Sequence, residues 1–330
     1  MNRPIPTVLR WGIVGTGAIS EQIASDFALV RDCEVTAVCS RSLQSADAFA
    51  ERFEIENRFD DYDIMLGSDI DAVYIGTPHV THFELARRAL LAGRHVLCEK
   101  PLALNAEQVR ELALIAEDSN RFLMEAMWMK FNPLYLKLGE LIYAGAIGDV
   151  RSVRSSFGAP FPRDDSSRWK RGGSTLLDQG IYPVTLSHMF LGDPARITAS
   201  GVMRDDGVDL SEYFTLTYTD GRFAHGAASM VDYLDLTAAV AGTSGWVAIE
   251  PGFWFASALT LHRYTPAGPV AERIEVTREG HGYVPMLREV TATILHGGVE
   301  HPRHTIEQTA RTFDILDEIR RQVAASAADS

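Results

Sequence analysis

The sequence predicts an α/β protein in two parts, an N-terminal doubly wound parallel sheet and a C-terminal α+β domain with a large, mostly antiparallel open sheet. Three observations predict it. From Leu9 to Glu125 short apolar runs alternate with helix-length amphipathic segments, the pattern of βαβ units. From Val150 to His262 the pattern changes to strand-like runs broken by turn residues. The 330 residues, 46% hydrophobic and 9% aromatic, exceed one small core and suit two domains. The boundary is drawn between residues 126 and 127, so that 1–126 and 127–330 are the expected domains.

Leu9–Val14 is the first expected strand, and the helix after it shows Ile19, Ile23, Phe27 and Val30 on one face. Val35–Cys39, Ala72–Ile75, His95–Cys98 and Phe122–Glu125 complete the parallel set. Helix starts are marked by capping-box pairs, Thr81 with Glu84 and Asn105 with Gln108, in which each side chain satisfies a free backbone N–H. The second part reads as Val150–Phe157, Ile197–Met203, Tyr213–Thr219, Phe223–Met230, Leu236–Ala241, Trp246–Glu250 and Leu259–His262. The turns Thr219-Asp220-Gly221 and Thr243-Ser244-Gly245 join neighbours at hairpin spacing. A helix from Thr175 to Phe190 interrupts these strands, and Tyr283–Leu295 and Thr305–Val323 close the chain. The last opens with a Thr305/Gln308 capping box and is expected to pack back on the first domain.

Net charge is −13, from 31 Lys+Arg and 44 Asp+Glu, so the surface repels polyanions, and neither nucleic acid nor an anionic membrane is an expected partner. Cys33, Cys39 and Cys98 are few and odd in number, which fits reduced thiols in a cytoplasm. Met1–Pro6 lacks the apolar core of a signal peptide, and no uncharged apolar run approaches ~18 residues. The ten histidines lack metal-ligand spacing flanked by carboxylates, except Glu300-His301 and His304, read as a solvated loop; no metal is expected.

The chemistry begins at Gly15-Thr16-Gly17-Ala18-Ile19-Ser20, which leaves a strand and opens a helix as a Rossmann dinucleotide loop requires. Gly15 makes the tight turn, Gly17 lets backbone approach a pyrophosphate, and Ala18 and Ile19 begin the helix. Taken alone, such a loop also fits an ordinary glycine-containing turn. The second strand ends in Cys39-Ser40-Arg41 instead of the acidic residue that holds a ribose 2′-hydroxyl, which favours NADP over NAD; Asp47 or Glu51 remain able to reach the ribose. Glu99-Lys100-Pro101 follows a buried strand at the carboxyl edge of the sheet, where such folds place ligands, and proline there restricts the lysine backbone and admits a cis bond. In Gly172–Pro183, helix from Thr175 onward would put Asp178 and Tyr182 on one face. Oxidising a carbinol needs a base, and tyrosine with a free pKa of ~10 needs a nearby cation to serve as one. Lys100 is the expected cation, Tyr182 the base and Asp178 the orienting group. Singly, each also fits a plain surface residue.

These residues resemble the glucose-fructose oxidoreductase / inositol dehydrogenase / MocA family over nearly the whole chain: the glycine loop, Gly76-Thr77-Pro78-His79 with His82, Glu99-Lys100-Pro101, and Gly172–Tyr182. Glu125-Ala126-Met127-Trp128 and Leu177–Tyr182 look most like the branch of dimeric dihydrodiol dehydrogenase and NADP-dependent D-xylose dehydrogenase. The resemblance implies that Lys100 and Tyr182 are catalytic and Asp178 assists. It also implies that Thr77, Pro78, His82 and Glu99 lie at the cofactor, His82 there or as a structural residue. Trp128, Arg168 and Trp169 are expected at the substrate, a sugar, polyol or dihydrodiol, with the second sheet joining subunits into a homodimer or homotetramer. Gln179 departs from the family's small or aliphatic residue, and Arg168-Trp169-Lys170 is similar to its substrate loop without matching it. An NAD-dependent glycosidase of the same fold and a non-catalytic NADP-binding regulator are the alternatives.

Overall fold

The computed structural model of the chain describes residues 7–164 and 166–328 and divides into two compact units, Met1–Asn132 with Arg278–Ala310 and Pro133–Thr277 with Arg311–Ser330. Met1–Pro6, read above for a leader, lies outside the described residues.

In the first unit, β1 (Leu9–Val14), β2 (Cys33–Cys39), β3 (Asn57–Phe59), β4 (Ala72–Ile75), β5 (His95–Cys98) and β6 (Leu123–Glu125) form a parallel sheet in the order β3-β2-β1-β4-β5-β6. The five expected strands are present. The sixth, β3, is a three-residue edge, too short to leave a periodic signal. Strand β4 is buried at every position, as a central parallel strand is when helices cover both faces. Helices α1 (Ala18–Phe27), α2 (Leu43–Phe53), α3 (Tyr62–Gly67), α4 (His82–Leu91) and α5 (Ala106–Ser119) lie between the strands in sequence. The strand order reverses between β1 and β4, which makes a topological switch point where the loops after these strands meet.

The capping expectations fare unevenly. Asn105 caps α5, its Oδ1 accepting from Gln108 N at 2.9 Å. The Thr81/Glu84 box does not form: a 3₁₀ turn, His79–Thr81, precedes α4, and the Thr81 hydroxyl donates to Pro78 O at 2.7 Å.

The second unit holds α6 (Pro133–Tyr143), β7 (Val150–Gly158), α7 (Ile181–Leu191), β8 (Arg196–Met203), β9 (Asp209–Thr217), β10 (Phe223–Ser229), β11 (Ala238–Gly242), β12 (Gly245–Ile249), β13 (Ala258–Thr265) and β14 (Gly268–Glu275). The eight strands make one sheet, β14-β13-β12-β11-β7-β10-β9-β8, antiparallel except for the β7–β10 pair. The turns at Asp220-Gly221 and Ser244 join antiparallel neighbours as expected. Strand β14 went unread because it is exposed at nearly every position and so has no apolar alternation. Helix α7 packs on β7 and β10, and the sheet alternates accordingly: Phe214 and Leu216 of β9 are buried, Tyr213 and Thr217 exposed.

The closing helices are α8 (Val284–Leu295), in the first unit, and α9 (Ile306–Ala328), which belongs to the first unit up to Ala310 and to the second beyond it. The Thr305/Gln308 box forms in both directions, at 3.2 and 3.4 Å. The preceding segment corrects the sequence reading, because His301 and His304 are buried, 6% and 2% exposed, where a solvated loop was expected. No described helix is long and apolar enough to cross a membrane.

Candidate active site

Gly15 has φ +96°, and a Cβ there would lie 2.7 Å from Gly76 O, so only glycine lets the β1 loop pass the β4 loop. Gly17 is different: a Cβ there would meet nothing within 4 Å. The protein itself does not require glycine at that place, whereas close approach of a ligand to the backbone would. Gly17 begins α1 without a side-chain cap, which leaves the first N–H groups of the helix, at Ala18, Ile19 and Ser20, for an anion. Gly17 and Ala18 are exposed, Ile19 half-buried. This cradle fits a dinucleotide pyrophosphate.

Ser40 follows β2 beside the same loop, its Oγ 3.1 Å from Thr16 Oγ1. Arg41 is exposed and has no ion-pair partner among the described residues. Asp47, one of the carboxylates able to reach a ribose, stands 3.7 Å from Arg58. Thr77 and Pro78 follow β4, with Thr77 Oγ1 2.7 Å from Thr81 Oγ1.

At the end of β5 the chain turns through a cis Lys100–Pro101 bond. Glu99 is 5% exposed, accepts from the Tyr74 hydroxyl at 2.9 Å and from Lys100 N at 3.2 Å, and burial pushes its carboxyl up to about 7 against the pull of Lys100. His82 is buried with Nδ1 2.7 Å from Pro101 O and Nε2 2.7 Å from Thr77 O, tying the lysine turn to the β4 loop. Burial opposes the charge that two carbonyl acceptors favour, and the His82 pKa lies below its ordinary value. Trp128 is buried and stacks on Tyr283, centroids 4.6 Å apart and planes at 23°.

In the second unit the expected helix from Thr175 opens as a π-turn, Leu176–Gly180, before continuing as α7. Asp209 anchors this opening: its Oδ2 accepts from Leu176 N at 2.7 Å and Ser174 Oγ at 3.0 Å. Such widened turns recur at functional sites. Asp178 pairs with Arg168, Nε to Oδ2 at 2.8 Å, and the Arg168 guanidinium lies 3.9 Å over the Phe161 ring. Trp169 is half-buried, its indole N–H donating to Pro162 O at 2.7 Å. Tyr182, 4% exposed, sits beside a parallel stack of Phe157 and Trp254, whose centroids are 3.6 Å apart; Tyr182 lies 6.1 Å from one and 6.0 Å from the other. Trp254 was missed from sequence. The run Gly252-Phe253-Trp254-Phe255, three aromatics after a glycine, was the available signal. The structure therefore gathers the loop residues, Ser40, Lys100 and His82 within one unit, and Arg168, Asp178 and Tyr182 within the other.

Residues 9–127 match a family model described as an oxidoreductase family with an NAD-binding Rossmann fold, and residues 135–248 match the GFO/IDH/MocA C-terminal domain. Trans-1,2-dihydrobenzene-1,2-diol dehydrogenases from Danio rerio and Xenopus laevis are 34% and 33% identical to this chain, over 96% and 95% of it and 97% and 98% of theirs. Among solved structures, KijD10, a 3-ketoreductase from Actinomadura kijaniata in complex with NADP and TDP-benzene, is 28% identical with a TM-score of 0.83, covering 96% of this chain and 98% of that one. An aldose-aldose oxidoreductase from Caulobacter crescentus, 23% identical with a TM-score of 0.86 over 98% of both chains, shares the fold.

Proposed function

This chain belongs to the GFO/IDH/MocA family of oxidoreductases, and from that premise we propose that it oxidises a ring-borne secondary alcohol of a sugar, polyol or dihydrodiol, or reduces the matching ketone, with NADP. The observation that carries this reading is the setting of Tyr182, a phenol beside the flat Phe157–Trp254 wall on a helix opened by a π-turn. An aromatic wall suits the apolar face of a ring, while the phenol addresses a hydroxyl on its edge.

The glycine loop and the α1 N-terminus would hold the pyrophosphate, Thr77, Pro78 and His82 would border the cofactor, and Ser40 with Arg41 would take the 2′-phosphate. Support for NADP comes from Arg41, without an ion-pair partner among the described residues and next to a Ser40 already fixed to the loop, and from the NADP bound in the KijD10 ketoreductase. Bound there, the nicotinamide would supply the two-electron acceptor for hydride from the carbinol carbon.

In the oxidative direction Tyr182 removes the hydroxyl proton as the carbonyl forms. Lys100 supplies the positive charge that favours the phenolate, and Asp178, held by Arg168, orients the hydroxyl. Trp128, Arg168 and Trp169 are the residues proposed to contact the substrate. Glu99, with its carboxylate bonded to Tyr74 and Lys100 N, holds the lysine turn from within.

The test is a panel of sugars, polyols and dihydrodiols with NADP and NAD, followed by nicotinamide absorbance. Tyr182→Phe should lower turnover by about 10²-fold or more while the NADP dissociation constant is unchanged. Normal turnover in this variant would sink the assignment.

A further inference from the structure

Behind the lysine turn runs a buried chain of polar groups, all within the first unit. Three successive residues of the turn are each tied to a titratable side chain: Lys100 N to Glu99, Pro101 O to His82, and Leu102 N to Glu125 Oε1 at 3.0 Å. Glu125 is itself held. Its Oε2 lies 3.2 Å from His304 Nε2, His304 Nδ1 lies 3.2 Å from Lys130 Nζ, and Lys130 donates to Gln308 Oε1 at 2.7 Å. Glu125, His304 and Lys130 are 1%, 2% and 7% exposed.

One proton arrangement satisfies every contact. The Lys130 ammonium has donors only, so Nδ1 must accept; a neutral imidazole then carries its proton on Nε2 and donates it to the Glu125 carboxylate. The surroundings agree, since burial and Lys130 pull His304 down to about 4, and burial pushes Lys130 down to about 8 against the pull of Glu125. His301 and Arg303 of the same loop reach Glu289 at 3.1 and 3.5 Å and bear on the relay only through their charge, His301 adding to the lowering of His304 and Arg303 to that of Lys130. Gln308 also closes the capping box of α9, so the far end of the chain is anchored to a helix start.

Burying three ionisable groups is expensive, and apolar residues of similar volume commonly cost less. What the arrangement secures is geometry, because every member is held on both sides, and the Nε2 side of His304 is shared with Thr309 Oγ1 at 3.3 Å, a hydroxyl that donates to Thr305 O and can accept there. We propose that Glu125, His304 and Lys130 are positioning residues for Lys100, a relay that fixes the Lys100–Leu102 turn without touching substrate or cofactor. The relay rests on the reading of Lys100 as the charge that supports proton transfer; its geometry stands apart from that reading.

The chain has four lysines, Lys100, Lys130, Lys137 and Lys170, so ¹³Cε-lysine labelling gives four resonances, each assigned by a single substitution. His304→Leu should move the Lys100 resonance and its titration midpoint, and should lower kcat about 10–100-fold with little change in KM. His304→Gln, whose amide N–H can donate to Glu125 and whose carbonyl can accept from Lys130, should restore most of both. If His304→Leu fails to fold, Lys130→Met is read in the same way. Folded variants whose Lys100 resonance and titration do not move would overturn the relay, as would failure of glutamine to restore them. Should Lys100→Met turn over normally, the proposed function fails, and the resonance still decides the relay.

Discussion

Arg41 and Glu99 show how single side chains set the site. The Arg41 guanidinium is exposed beside a serine already fixed to the glycine loop, while Asp47 stands near Arg58. Replacing Arg41 with Glu would put a carboxylate where a 2′-phosphate is proposed to bind. NADP should weaken about 10–100-fold and NAD be spared, read as dissociation constants by titration; equal loss for both nucleotides would remove Arg41 from the 2′-position. Glu99 makes a pH prediction. Burial pushes its carboxyl up to about 7 from an ordinary value of 4.5, so between these values the unfolded chain gives up a proton that the folded one keeps. Stability should therefore fall as pH rises from about 4.5 to about 7. Glu99→Gln should flatten that slope in denaturant titrations, and an unchanged slope would show that Glu99 is ionised in the fold throughout.

Among elements, the helix that carries Asp178 and Tyr182 shows what could be read and what could not. Its place and its two polar residues were legible from the glycine-flanked run before Tyr182. The π-turn was not, because its cause lies 33 residues away in Asp209, which seizes Leu176 N and Ser174. Local spacing carries no trace of such an anchor. The parallel strands were legible because burial on both faces makes continuous apolar runs, and β14 was not because exposure leaves no pattern. The Glu300–His304 segment misled for the opposite reason, since polar residues that find buried partners look in sequence like a solvated loop. The same helix carries an orphan: Gln179 is 1% exposed, and neither amide atom has a hydrogen-bond partner among the described residues. A buried amide without partners costs about 1–3 kcal/mol. Gln179→Leu, close in size, should raise stability by about 1 kcal/mol and Tm by ~2–4 °C, measured by thermal unfolding. A lower Tm would mean that the amide is satisfied in solution.

For the whole molecule, the eight-stranded sheet poses the question of what covers its second face. One side of the sheet packs α7, while the other presents Tyr213 and Trp246, 60% and 38% exposed, on strands four places apart in the sheet. Between them lies a hollow of about 390 Å³ lined by Arg154, His225 and Asp235 among others, so both signs of charge occur in one patch. A patch holding both charges and flanked by aromatics can be complementary to itself under a two-fold axis, which a patch of one sign cannot be. With a net charge of −13 the rest of the surface discourages self-contact, and association is steered to a place where the charges are mixed. The subunit pairing that the family resemblance implies therefore predicts a second copy of the chain on this face. Light scattering at micromolar concentration should give twice the 36.4 kDa chain mass, and the pair Tyr213→Glu and Trp246→Glu should give a folded monomer. A wild-type monomer at that concentration would defeat the prediction, and a variant that remained dimeric would move the interface to another face.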